Sequence, residues 1–385
     1  MIYFDYQSSK PVDPRVIKTM LPYFDKKFGN PSSLHAIGDE ATQTLEQSRR
    51  TVAEFINAKP EEIIFTSGAT ESNNLALIGF TMRNQHNGNH IIISEIEHIS
   101  IHNIAKYLQK NGFDVTKVPV DFYGRIDIEA LKHRITDKTI LISINYANNE
   151  IGTIQDIPEI ARLCREKEIA FHTDAVAAES QIHIDVKNHG IDLMSLSSND
   201  IYGPKGVGAL YIRKGIRLNP LNLGGGQEFG LRSGTENIPG IVGIKTSAEI
   251  MAQEMDQEVT ILKGYQQRLI KGVLENIPDS YLNGHPRARL ANNVHFRFDG
   301  IEGESLLLLL KDKGISVSTG SACSSKTLEP SHTLIALGLL HEEAHGSLQL
   351  TMGRFNRAQD IDTLLNILPD VISKLRKLSP LYKGV

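Results

Sequence analysis

The sequence predicts an α/β protein in which a large, mostly parallel sheet covered by helices precedes a smaller α+β unit. Three observations predict it. From about residue 60 to 215, short apolar runs alternate with amphipathic helical stretches, the pattern of strands joined by helical crossovers. Residues 238–276 read as one long, charge-rich helix suited to linking two units. Beyond it, strand patterns at Asn293–Arg297 and Ser347–Thr351 are interleaved with helical patterns at Gly303–Lys313 and Asp360–Lys374. At 385 residues the chain is long enough for two cores. The expected division is a large domain over 14–250 and a small domain built from 1–13 and 251–385.

Within the large unit the candidate strands are Ile63–Phe65, His90–Ser94, Ile140–Asn145, Ala170–Thr173, Met194–Ser197 and Gly208–Ile212. Between them Ile157–Lys167 carries the stripe Ile157, Ile160, Ala161 and Cys164, so Cys164 reads as a buried, inert thiol. Ligands in such sheets collect at the carboxyl ends of the strands.

Composition narrows the function classes. Lys plus Arg total 41 against 45 Asp plus Glu, a mildly acidic balance without the basic patch that nucleic-acid binding favours. The longest apolar run, Leu306–Leu310, is too short to cross a bilayer. No basic and apolar leader pattern opens the sequence, so no secretory signal is expected. Two widely separated cysteines suit a reducing, cytoplasmic setting better than a disulfide framework.

Two segments carry chemistry. Strand Ile63–Phe65 runs into Thr66-Ser67-Gly68-Ala69-Thr70, where a helix is expected to start. Gly68 lets the backbone approach an anion, and free amides at the helix start would face it. The plainer alternative is a Ser/Thr N-cap. Cys323 lies in Ser318-Thr319-Gly320-Ser321-Ala322-Cys323-Ser324-Ser325-Lys326, whose small polar neighbours suggest an exposed loop with an ionisable thiol. His341-Glu342-Glu343-Ala344-His345 has HExxH spacing, but the following Gly346 and the nearby strand argue against a zinc-protease helix.

Landmarks along nearly the whole chain resemble the cysteine desulfurases of the NifS/IscS group, which have the fold-type I pyridoxal-phosphate (PLP) transferase fold. They include Gly29-Asn30-Pro31-Ser32-Ser33, Thr66-Ser67-Gly68-Ala69-Thr70-Glu71-Ser72-Asn73-Asn74, Glu97-His98 and Asn148-Asn149-Glu150-Ile151-Gly152-Thr153. His172-Thr173-Asp174-Ala175, Arg232-Ser233-Gly234-Thr235-Glu236-Asn237, the Cys323 segment and Gly353-Arg354-Phe355 follow in family order. The resemblance implies that Ala69, Thr70, Ser197 and Asn199 cradle the cofactor phosphate, with Thr235 reaching it from the second subunit of a homodimer. It implies His98 on the ring face, Asp174 at the ring nitrogen, Asn149 nearby, and Arg354 on the substrate carboxylate. Cys323 would attack the substrate sulfur and carry a persulfide.

The departures fall on one pocket. Ser197-Ser198-Asn199-Asp200-Ile201-Tyr202-Gly203-Pro204-Lys205-Gly206 resembles the segment that supplies the imine-forming lysine, yet Asp200 stands at the lysine position. Asn199 replaces a histidine, Ala177 a glutamine that contacts the cofactor's phenolic oxygen, and Tyr6 is bulky enough to fill part of the space. Lys205, fixed in a Gly-Pro turn, does not substitute for the missing amine. Like charges a few ångströms apart cost about 1–4 kcal/mol, so an acid at 200 disfavours phosphate and phenolate nearby. PLP is therefore expected not to be bound covalently and to be absent from the purified protein. The function expected is iron–sulfur cluster assembly: a homodimer docks a scaffold protein of the IscU type and offers Cys323 as sulfur carrier or metal ligand, with a 2Fe–2S cluster shared between them. The alternatives are an active desulfurase using non-covalent PLP and a purely structural dimer.

Overall fold

A computed structural model of the chain describes residues 1–319, 330–380 and 382. A two-residue strand, β1 (Ile2–Tyr3), opens the chain. The main sheet has seven strands: β2 (Ile63–Thr66), β3 (His90–Ser94), β4 (Asp114–Val118), β5 (Thr139–Ser143), β6 (Ala170–Asp174), β7 (Leu193–Ser197) and β8 (Gly208–Ile212). Their spatial order is β2-β8-β7-β6-β5-β3-β4. The block from β7 to β4 is parallel, whereas β8 runs antiparallel to both its neighbours. The reversal follows from the link between β7 and β8, which is a turn rather than a helical crossover. Tyr202 (φ 63°) and Gly206 (φ 80°) adopt left-handed backbone in it, and Ser197 pairs with Gly208 across its base.

All residues of β2, β3, β5, β6 and β8 are buried, as strands covered on both faces require. Only Val118 of β4 is buried. That polar edge strand has no apolar run, and sequence patterning missed it. Helix Ala36–Phe55, also unread from the sequence, lies on the long helix Ile238–Asn276, which forms over the residues expected.

The later residues form β9 (Ser280–Leu282), β10 (Asn293–Phe298), β11 (Ile315–Ser316) and β12 (Ser347–Thr351). β10 lies antiparallel between β12 and β9, and β1 pairs with β11. Leu269, Phe296, Leu306, Leu348 and Leu364 are buried together in this unit. The chain's first residues thus reach its last strands, and the amide of Thr351 donates to the carbonyl of Phe4. No helix among the described residues is long and apolar enough to cross a membrane.

Gly208 ties the turn to the loop after β2. A Cβ there would sit 2.6 Å from the Leu196 carbonyl oxygen and 2.7 Å from Gly68 Cα. Both are backbone atoms and cannot swing aside. We predict that Gly208→Ala lowers stability by about 1–3 kcal/mol and weakens binding of phosphate at Gly68. Urea unfolding and phosphate titration check this; a variant matching the parent in both would contradict it.

Candidate functional site

The carboxyl ends of the main-sheet strands open into a cavity of about 1040 Å³. Ala69, Thr70, His98, Asn149, Asp174, Ser197, Asn199 and Asp200, drawn from distant parts of the sequence, all line it. Three expected residues lie elsewhere or beyond view. Thr235 is exposed on the segment before the long helix and does not line the cavity. Arg354 is turned away from it. Cys323 lies outside the described residues.

At one wall β2 ends and Gly68 (φ +146°) turns the chain into helix Ala69–Asn74. Gly68 is the N-cap and offers no side-chain cap, so a Ser/Thr cap does not occupy the helix start. Glu71 is drawn back: its carboxylate accepts from the Ser67 amide at 2.7 Å and pairs with Arg232 at 3.0 Å.

Asp174 ends β6, where it accepts hydrogen bonds from Asn73 Nδ2 (2.8 Å) and the Val176 amide (3.1 Å). Asn73 also donates to Ser100 Oγ, which lies 2.8 Å from His98 Nδ1. His98 Nδ1 caps the following helix by accepting from the Ser100 amide. Asn73 and Ser100 thus connect the two ring-site residues. The only sign of Asn73 in the sequence was its place in the Thr66–Asn74 motif.

Asp200 sits in a 3-10 turn, Ser198–Ile201, at the end of β7 and is 5% exposed. Burial raises its carboxyl to about 6, opposed by Lys10 and by hydrogen bonds from the Ser197 and Asn199 side chains. Lys10, 2% exposed, is the residue that sequence reasoning missed. Its ammonium donates to the main-chain oxygen of Asp200 (2.5 Å) and to Ser180 Oγ (2.9 Å), and lies 5.1 Å from the Tyr202 ring centroid. Burial lowers its pKa, offset by Asp200, Glu258 and Glu179. Glu179 accepts from the Ser197 amide and is held well above the usual carboxylate range by burial, with Asp200 adding to the effect. Lys205 reaches the Lys10 carbonyl oxygen.

One expectation needs correction. Tyr6 does not intrude on the cavity: it is buried on Gly353, while its neighbours Gln7 and Ser8 line the wall. Arg354 meets Asp13 at 2.8 Å, Glu254 at 3.2 Å and Glu258 at 2.9 Å, with its guanidinium 4.1 Å from the Tyr202 ring centroid. Three carboxylates hold it as an internal clasp. The sequence motif fixed its position in the chain but not its partners.

Glu97 lies beneath the opposite wall. Its Oε1 accepts from Ser94 Oγ (2.6 Å) and the Asn145 amide (2.8 Å), while Oε2 has no partner. Its main-chain oxygen lies 2.9 Å from His332 Nε2, and Ser331 donates to Glu150 at 2.7 Å. The cavity lysines Lys106 and Lys117 adjoin His102, whose pKa falls to about 3 through burial first and then the nearby cations.

Residues 2–364 match the aminotransferase class-V family. Cysteine desulfurase IscS 1 of Archaeoglobus fulgidus is 56% identical over 383 residues, covering all of both chains. The chain belongs to the IscS family of cysteine desulfurases. IscS of Methanosarcina thermophila is 50% identical, covering 99% of this chain and 94% of that one. Among solved structures, a NifS-like protein superposes with a TM-score of 0.91 at 35% identity, over 97% of this chain and all of the other. A NifS-like protein from Rickettsia africae gives 0.88 at 30% identity, over 97% and 99%. This family membership carries the α/β fold of fold-type I PLP enzymes. PLP is the family's cofactor. The cavity of this IscS-family chain fits the phosphate and ring of that group but presents a carboxylate where its imine would need an amine.

Burial pushes the Glu97 carboxyl up to about 8. The folded protein therefore holds this proton over a range in which the unfolded chain has released it. Stability should fall as pH rises from about 4.5 to about 8. Glu97→Gln keeps the size and cannot ionise, so its urea midpoint should fall less over that window. Equal slopes in the two proteins would overturn the assignment.

Proposed function

We propose that this IscS-family protein is a homodimer that docks an iron–sulfur scaffold protein of the IscU type and offers Cys323 as sulfur carrier or cluster ligand. Release of sulfur from cysteine through PLP is lost or very weak. The observation that carries this reading is Asp200 on the cavity wall at the end of β7. PLP, when bound, supplies an electron sink for reactions at the substrate α-carbon, and an amine at position 200 would be needed to anchor it. Neither neighbouring amine replaces it. Lys10 is buried against main-chain oxygen, and Lys205 is spent on the Lys10 carbonyl. Arg354 is paired with three acids and does not line the cavity.

Support for the dimer comes from apolar side chains left in solvent. Phe24, Phe28 and Leu34 are exposed, as are Leu223 and Phe229 in the stretch before Thr235. Burying such groups against a second copy is the usual remedy. The buried, unpaired Cys164 fits a reducing cytoplasmic location.

Borohydride reduction of the purified protein followed by peptide mapping should yield no pyridoxyl-lysine, and alanine should not form from cysteine. A label on Lys10 or Lys205, or steady alanine release, would restore the active-desulfurase reading. Asp200→Lys alone should leave turnover at least about a hundredfold below an IscS with its lysine, the scale of a misplaced acid–base group. In that variant Lys10 puts a second ammonium beside the new one, and Ala177 and Asn199 remain unchanged. Full activity from the single change would show those residues to be neutral.

Cluster assembly with the scaffold protein should depend on Cys323. Cys323→Ser should lower cluster yield and change its absorbance spectrum, because thiolates are the usual cluster ligands. Identical spectra and yields would leave only a structural dimer.

A further inference from the structure

The cavity is asymmetric in charge and in hydrogen-bonding need. One wall offers the open backbone at Gly68 and the hydroxyl-bearing Thr70 and Ser197, all suited to an anion. The adjoining part carries Asp174 and Asp200, both less than a tenth exposed. Two further buried polar atoms on the lining, Glu97 Oε2 and Asn145 Oδ1, have no partner within the protein. Lys10 offsets part of the Asp200 charge but makes no hydrogen bond to its carboxylate, because its ammonium binds the main-chain oxygen and Ser180. Glu179 is held well above the usual carboxylate range by burial, and Asp200 is the carboxylate of this turn that lines the cavity.

A ligand matching this arrangement is anionic at one end, aromatic and protonated in the middle, and cationic beside Asp200. Pyridoxal phosphate meets only part of that description, since its aldehyde is uncharged and requires an amine to anchor it. The amine form of the same vitamer has an exocyclic ammonium at the position where the aldehyde stands. We propose that the cavity is selective for pyridoxamine phosphate over pyridoxal phosphate, with Asp200 as counter-ion of its exocyclic ammonium and Asp174 at its ring nitrogen. A lysine at 200 selects the aldehyde by forming an imine; a carboxylate at 200 selects the amine by ion pairing. This selection requires no thiol and goes beyond the proposed role of Cys323.

The test is calorimetric titration of the full-length protein, freed of bound vitamers, with pyridoxamine phosphate, pyridoxal phosphate and inorganic phosphate at neutral pH. Pyridoxamine phosphate should bind about 10–100-fold more tightly than pyridoxal phosphate, the range contributed by a hydrogen bond to a charged group. Asp200→Asn, similar in size, should erase the preference while inorganic phosphate still binds at least as tightly as to the parent. Equal or tighter binding of pyridoxal phosphate by the parent overturns the proposal, as does a preference that survives in Asp200→Asn. Inorganic phosphate binding as tightly as pyridoxamine phosphate overturns it too, since the cradle alone would then account for affinity, and so does no binding at all. If Asp200→Asn fails to fold, the preference measured on the parent decides the matter. Alanine release from cysteine bears on the desulfurase reading alone, so the two can fail separately.

Discussion

The ammonium of Lys10, buried against the main-chain oxygen of Asp200 and the hydroxyl of Ser180, is the contact on which the arrangement of the site depends. It joins the N-terminal segment to the turn between β7 and β8. A buried cation without partners is prohibitively costly, so Lys10 requires this turn to present oxygen toward it. The same turn reverses the chain to make β8 antiparallel and brings Gly208 onto Gly68. Anion loop, turn and N-terminus therefore form one mechanical unit. A charge placed at 200 is felt by all three.

Electrostatics explains why an acid is tolerated there. Asp174, Glu179 and Asp200 are all largely buried, and three ionised carboxylates in one region would repel strongly. Burial shifts Glu179 toward its neutral form, which relieves part of that repulsion, and the Lys10 ammonium offsets the charge of Asp200. Side-chain donors from Ser197 and Asn199 do the rest. Asn199 thus acts here as a donor to its neighbour, a task for which a neutral amide suffices.

Arg354 shows how much of a motif's setting lies outside the motif. Its guanidinium joins Asp13 near the N-terminus to Glu254 and Glu258 on the long helix, stacked on Tyr202, whose hydroxyl donates to Glu258 at 2.6 Å. Charge-assisted bonds of this kind fix geometry as well as energy. The clasp closes behind the turn bearing Asp200, on the side away from the cavity.

By itself the sequence determined the alternation of strands and helices, the long helix over 238–276, and the buried thiol of Cys164, because each leaves a periodic or contiguous apolar signal. It also determined that position 200 has no amine. It was silent on β4, whose solvent-facing residues carry no such signal, and on helix Ala36–Phe55, which had not been singled out. Only the tertiary structure decided what surrounds Asp200. Lys10 and Glu179 are far from it in sequence, and Lys10 looks like an ordinary surface lysine before Pro11. The partners of Arg354 come from three separate segments, and Asn73 reaches Asp174 from a segment remote in sequence. Motifs record which residue types are available. Which charges meet is set by chain reversal at Tyr202 and Gly206 and by the packing of the N-terminal segment against that turn, and no local pattern encodes that.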